Sequence, residues 1–158
     1  MPRLLPFLWY ATDAEKAAEF YCSIFPDSHV DRVTPMAVET PSGPPGSVVT
    51  VEFTLVGQPV MAMTAGEHHP FNDAISLMVE CDTQDEIDRY WNGLVADGGQ
   101  EVACGWCKDR WGVSWQITPR RLNDLMADPD VEVRKRVATA MMQMVRLDLA
   151  AIEAAARG

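Results

Sequence analysis

The chain has 158 residues, 47% of them hydrophobic and 23% charged, with a net charge of -10 and an isoelectric point near 4.6. Such a charge repels nucleic-acid phosphates and anionic membrane surfaces, so neither is an expected partner. The length suits one domain, or two small halves sharing a core, that buries about two-thirds of its unfolded surface.

Leu4 to Tyr10 is an almost unbroken apolar run and reads as a strand. Thr12-Asp-Ala-Glu15 follows as a capping box, in which hydroxyl and carboxylate satisfy each other's backbone donors at a helix start. Ala14, Ala17, Ala18, Tyr21 and Phe25 mark one face of that helix. Val30 to Met36 predicts a strand, and the Pro- and Gly-rich stretch from Thr40 to Gly46 predicts a loop and a candidate lid. Val49, Val51, Phe53 and Leu55 alternate with Val48, Thr50, Glu52 and Thr54, the period of a strand with two unlike faces, and Val60 to Met63 answers it. Val56-Gly57 joins them. Because a β-branched residue is poor in the left-handed first position of a type I′ turn, a less regular turn is expected. Ala65 to Pro70 reads as an exposed crossover.

The pattern then recurs about 70 residues on. Ala74 to Cys81 is the apolar run, Thr83-Gln-Asp-Glu86 the capping box, Ile87, Tyr90, Leu94 and Val95 the stripe, and Gly98-Gly99 the stop. Glu101 to Trp106 and Val113 to Thr118 read as strands around the turn Lys108 to Gly112. Two copies of one β-α-β-β-β unit are the economical interpretation. From Pro119 the character is helical. Leu122, Leu125 and Met126 predict a short helix, and Asp128-Pro129 predicts the cap of a longer one. Val133, Val137, Met141 and Met144, widened by Met142, Val145, Leu149 and Ile152, make its broad apolar surface. That surface suits packing across a sheet or against a partner subunit, with a Met-rich docking surface as the alternative.

Met1 to Pro6 has one positive residue, with no sustained apolar region or cleavage site after it. No apolar run approaches the roughly 20 residues of a membrane span, so a cytoplasmic protein is expected. Four cysteines without a secretory signal read as reduced thiols. Cys104-Gly-Trp-Cys107 has redox spacing but runs into a turn and a strand rather than a helix N-terminus, which argues against thioredoxin-like chemistry.

Taken in order, several segments closely resemble the PhnB-like family of the vicinal oxygen chelate superfamily, described as 3-demethylubiquinone-9 3-methyltransferase-like. The carriers are Pro6-Phe-Leu-Trp-Tyr10, Ala18-Glu-Phe-Tyr21, Val51-Glu-Phe-Thr-Leu-Val-Gly-Gln58, Phe71-Asn-Asp-Ala-Ile-Ser76, Val79-Glu-Cys81 and Asp88-Arg-Tyr-Trp91. Cys104-Gly-Trp106, Lys108-Asp109, Gly112-Val-Ser-Trp-Gln-Ile117 and Ala140-Met141 continue the match, which spans Pro6 to about Ala155. The resemblance implies an α+β, glyoxalase-like fold of two βαβββ modules forming a cupped mixed sheet, commonly a homodimer. The modules would cover about residues 4–64 and 74–118, with 119–158 a helical extension of the same domain.

Metal-dependent members of the superfamily place His and Glu ligands on the inner strands. Here the resemblance puts Pro6, a position near Ser76, and Gln116 at those places, so no metal and no cofactor are expected. His29, His68 and His69 read as surface residues. Ser76, Met78 and Glu80 should share one strand face, as should Ser114, Gln116 and Thr118. With Trp115 added, Ser76, Met78, Glu80, Ser114 and Gln116 form the expected ligand-binding set. Glu52 and Glu80 are candidate general bases, set against solvated or ion-paired strand residues. Trp9, Trp106, Trp111 and Trp115 could stack on a ligand or pack the core. Lys108 and Asp109 suit turn geometry or a rim pair. No glycine-rich loop joins a strand to a helix, which disfavours the methyltransferase chemistry of the family description. The expected function is binding of a small, partly apolar molecule, as a binding protein or a metal-independent enzyme. The alternatives are a metal-dependent lyase, isomerase or dioxygenase, a methyltransferase, and a structural or regulatory dimer.

Overall fold

Each repeat folds as a four-stranded mixed sheet with one helix laid on it. The structure is a computed structural model describing residues 1–158, in which the chain divides into two units, Met1–Pro70 and Phe71–Gly158. The first contains β1 (Phe7–Tyr10), α1 (Ala14–Ile24), β2 (His29–Pro35), β3 (Val49–Leu55) and β4 (Gln58–Thr64). The second contains β5 (Leu77–Cys81), α2 (Gln84–Val95), β6 (Gln100–Glu101), β7 (Trp106–Lys108) and β8 (Ser114–Pro119), then α3 (Arg120–Met126), α4 (Val131–Met141) and α5 (Leu149–Arg157). The strand orders are β1-β4-β3-β2 and β5-β8-β7-β6. In both sheets the outermost first strand runs parallel to the last, and the remaining pairings are antiparallel. The repeat visible in the sequence is therefore a repeat of topology.

In the first unit, alternation along β3 sends Val51, Phe53 and Leu55 to the core. α1 covers them with its small face of Ala14, Ala17 and Ala18, while Tyr21 and Phe25 fill the remaining space. The Tyr10 and Tyr21 hydroxyls meet at 2.8 Å inside this core, as buried polar groups must be hydrogen-bonded. In the second unit Ile87, Tyr90, Trp91 and Leu94 of α2 pack in the same way, with Trp91 donating its indole N–H to Glu101 at 2.8 Å.

Several local expectations are corrected. The Thr12–Glu15 box does not form. Asp13 is the N-cap in a left-handed conformation, and the Ala14 amide donates instead to Thr64 Oγ1 at 2.9 Å. Parallel pairing of Tyr10 with Thr64 brings that hydroxyl to the helix start, so a tertiary partner displaces the local one. The second box forms fully, with Thr83 and Glu86 exchanging bonds. At the β3–β4 hairpin, Leu55 pairs with Gln58, and both Val56 (φ 50°) and Gly57 (φ 73°) are left-handed. The turn is thus the two-residue form that Val56 was expected to avoid. The Val56 amide is held by Ser28 Oγ at 2.9 Å and the Gly57 amide by the Asp27 carbonyl at 2.9 Å. Those bonds offset a left-handed conformation costing roughly 1–2 kcal/mol.

The expected strand from Glu101 to Trp106 is a hairpin, because Cys104 (φ 58°) and Gly105 (φ 83°) turn the chain between β6 and β7. The expected long C-terminal helix is two, α4 and α5. Asp130, not Asp128, caps α4 by accepting from the Glu132 amide, and Asp148 caps α5 by accepting from the Ala151 amide. The break lets Leu147 turn inward, where it joins Leu122, Leu125, Val137 and Ile152 in a cluster backed by Val133, Met141, Met144 and Ala156. Most of the apolar stripe is spent there, while Met142 and Val145 stay exposed. Gln84 ties α2 to the α4–α5 turn, donating to the Leu147 carbonyl at 3.1 Å and accepting from the Leu149 amide at 2.8 Å. No helix is long and apolar enough to cross a membrane.

Candidate functional site

The face of each sheet turned away from its helix carries most of the candidate residues. In the first unit, register aligns Arg32 with Glu52, Glu52 with Met61, and Met61 with Phe7, and one step along it aligns Thr34, Thr50, Met63 and Trp9. These side chains alternate with the core residues, so they share the outer face. Phe7 is half exposed, and Trp9, Met61 and Met63 are partly so. A concavity of about 590 Å³ lies at the β2–β3 side, lined by Arg32, Thr34, Pro35, Met36, Ala37, Thr50 and Glu52. Arg32 grips Glu52 through both Nε and Nη2. One oxygen of the Glu52 carboxylate is therefore taken by a guanidinium. Trp9 donates its indole N–H to the Glu67 carbonyl at 3.0 Å, with His69 edge-on to its ring.

On the second sheet, parallel pairing of β5 with β8 sets Met78 beside Gln116 and Glu80 beside Thr118, with Trp106 across from Gln116 and Lys108 across from Ser114. Gln116 donates through Nε2 to Ser76 Oγ at 2.8 Å. Ser114, itself buried, donates to Asp73 Oδ1 at 3.1 Å, and Lys108 Nζ meets the same oxygen at 2.7 Å. The Lys108 ammonium, then the Ser114 hydroxyl, hold the Asp73 carboxyl below the usual carboxylate range. Glu80 is exposed and accepts from Asn123 Nδ2 at 2.8 Å; the same amide nitrogen lies 3.9 Å from Met78 Sδ. Thus Ser76, Met78, Glu80, Ser114 and Gln116 lie along one sheet face.

Trp115 does not join them. Strand alternation turns it to the core side, where it is fully buried and donates its indole N–H to Asp109 Oδ2 at 2.9 Å. Asp109 also accepts from the Trp111 and Val113 amides at 2.9 and 3.1 Å, so this buried carboxylate knits the β7–β8 turn. Sequence reasoning missed Asn123 and Asp73. Asn123 lies in the helical extension with no strand period to flag it, and Asp73 lies in a loop.

Neither sheet face offers a divalent ion a matching donor set. Pro6 has no side-chain donor, Ser76 and Gln116 are neutral and bonded to each other, and no three His, Cys, Asp or Glu side chains converge. His29 pairs with Asp31 and His69 with Glu67, both at the surface. The Cys104–Cys107 spacing is no better suited to redox exchange. Burial, then Asp109 and Glu101, push the Cys107 thiol up to about 12, far from an activated thiolate.

The sequence profile of the 3-demethylubiquinone-9 3-methyltransferase family matches residues 2–118. A search of curated proteins returned no match. Among solved structures, the PhnB protein from Bacillus cereus is 32% identical, with 75% of this chain and 99% of that one covered and a TM-score of 0.65. Protein PA1353 from Pseudomonas aeruginosa, 18% identical over 75% of this chain and 98% of its own, shares the fold with a TM-score of 0.57. A glyoxylase/bleomycin resistance protein/dioxygenase domain from Frankia sp. EAN1pec, 12% identical over 76% and 98%, has a TM-score of 0.50. With the family profile spanning most of its length and the strand order repeated in both units, the chain belongs to the PhnB-like, 3-demethylubiquinone-9 3-methyltransferase family within the glyoxalase-like fold.

Proposed function

We propose that this protein binds a small, partly apolar molecule on its outer sheet faces, without a metal ion or cofactor, and that it works as a homodimer. The observation carrying the reading is the composition of those faces. On the first sheet Phe7, Trp9, Met61 and Met63 offer adaptable apolar contact beside Thr34 and Thr50, and on the second Met78 and Trp106 do so beside the fixed polar groups of Gln116, Ser76 and Glu80. Such a mixture suits binding of small organic molecules. Methyl transfer finds less support, because β1 passes to α1 through Ala11-Thr-Asp13 and β5 to α2 through Asp82-Thr83, with no glycine to bring backbone amides against a nucleoside cofactor.

Native mass spectrometry of freshly purified protein tests the reading. A dimer carrying extra organic mass and no ion is the expected result, and one firmly held divalent ion per chain would overturn it. A second reading, metal-independent catalysis, is favoured by Glu80, whose side chain meets a neutral amide rather than a cation and so remains open to a substrate proton. Once a substrate is known, Glu80→Gln should abolish turnover, and unchanged turnover would leave only the binding role.

A further inference from the structure

The helical extension lies beyond residues 2–118, the span the family profile matches, yet one of its side chains reaches the candidate site. We propose that Asn123 of α3 is a positioning residue that makes Glu80 a subsite for a cationic or strongly hydrogen-bond-donating group, an ammonium above all, on a ligand with an apolar body. The proposal rests on the binding reading above and deepens it.

Two carboxylates of the outer faces, Glu52 and Glu80, are in opposite situations. Glu52 is neutralised by Arg32, which takes its Oε1 through two nitrogens. Glu80 makes no ion pair. Its Oε1 accepts the Asn123 amide at 2.8 Å, which orients the carboxylate without cancelling its charge and leaves Oε2 for a ligand. A carboxylate held in this way favours a charge-assisted bond to an incoming N–H, since part of the ordering cost is met before binding. Apolar contact is close by. Met78 Sδ lies 3.9 Å from the Asn123 amide and its side chain is half exposed, and exposed Met126 follows Asn123 at i+3, on the same side of α3. Thr118, across from Glu80, is buried and Gln116, across from Met78, is tied to Ser76, so the polar neighbours are already satisfied or covered.

The test uses the full chain labelled with ¹³C-methyl methionine and three probes of matched skeleton: benzylamine, benzyl alcohol and benzoate. Benzylamine should shift the Met78 methyl and bind about tenfold more tightly than benzyl alcohol, with benzoate weakest. Glu80→Gln should remove that preference. Asn123→Ala should reduce it severalfold while the melting temperature stays near that of the parent, a change in selectivity that a purely structural contact would not produce. Asn123→Leu keeps the bulk without the donor and repeats the measurement should alanine unfold the helix. An unchanged preference in folded Asn123 variants overturns the role of Asn123. Shifts at Met61 and Met63 but not at Met78 overturn the subsite and leave the binding reading standing. A native spectrum without organic mass, together with no methyl shifted by any probe, overturns both.

Discussion

Asp109 shows how one side chain can hold a turn that other residues merely decorate. Its carboxylate accepts two backbone amides and the Trp115 indole while only 2% exposed, so removing it takes one acceptor from three donors at once. With about 1–3 kcal/mol at stake for each buried group left unsatisfied, Asp109→Ala should cost about 3 kcal/mol or more in urea unfolding. A loss under about 1 kcal/mol would contradict this account. Asp73 behaves oppositely, as an exposed partner of Lys108 and Ser114. Its carboxyl is lowered from 3.8, so its contribution is present above that pH and is lost as pH falls through the depressed folded value. Titration by NMR should place Asp73 below an ordinary aspartate, and Lys108→Met should raise it. Among the thiols, burial and neighbouring carboxylates push both Cys81 and Cys107 up to about 12, while Cys104 is only partly buried. Iodoacetamide should therefore modify Cys104 in the native protein and spare those two, and mass spectrometry of peptides would reveal any other order.

At the scale of elements, what the sequence disclosed depended on how local the controlling interaction is. The α2 cap was legible because Thr83 and Glu86 satisfy each other within four residues. The same signal misled at Thr12, where the partner of the Ala14 amide is Thr64, fifty residues away. Strand alternation found Ser76, Met78, Glu80, Ser114 and Gln116 on one face, since a period of two needs no tertiary knowledge. It also separates Trp115 from Gln116, a consequence the ligand-binding set with Trp115 overlooked. Val56 was misjudged because a residue's own preference was weighed without the Ser28 hydroxyl that holds its amide. Val56→Asn, which tolerates left-handed backbone, should stabilise the hairpin by about 1 kcal/mol, seen as a higher melting temperature. A lower one would show that the Val56 side chain contributes packing that outweighs its backbone cost.

For the whole chain, the extension is a built part of the second unit rather than a tail. The amides of Cys104 and Gly105 donate to the Met144 and Val145 carbonyls at 2.8 Å, and Gln84 closes on the backbone at Leu147 and Leu149. A Cβ at Gly105 would stand 2.7 Å from the Leu147 side chain and 3.1 Å from the Ile117 carbonyl, so contact there is tight. Ending the chain after Pro119 should accordingly lower the melting temperature by roughly ten degrees or more, as several hydrogen bonds of about 1 kcal/mol each and the Leu147 contact are lost. An unaltered melting curve would make the extension dispensable.

The matching strand orders carry a consequence of their own. With the two parallel ladders superposed at their last pairs, Leu8 falls on Val79, Tyr10 on Cys81 and Ala62 on Ile117, all apolar. On the reverse side Trp9 falls on Glu80, Met61 on Gln116, Met63 on Thr118 and Glu52 on Trp106. The side facing the helices keeps its apolar character at these positions, Thr64 against Pro119 excepted, whereas the reverse side keeps it only where Phe7 falls on Met78. Folding holds one surface of each strand to a narrow vocabulary, while the opposite surface, released from that duty, presents different side-chain chemistry in the two halves.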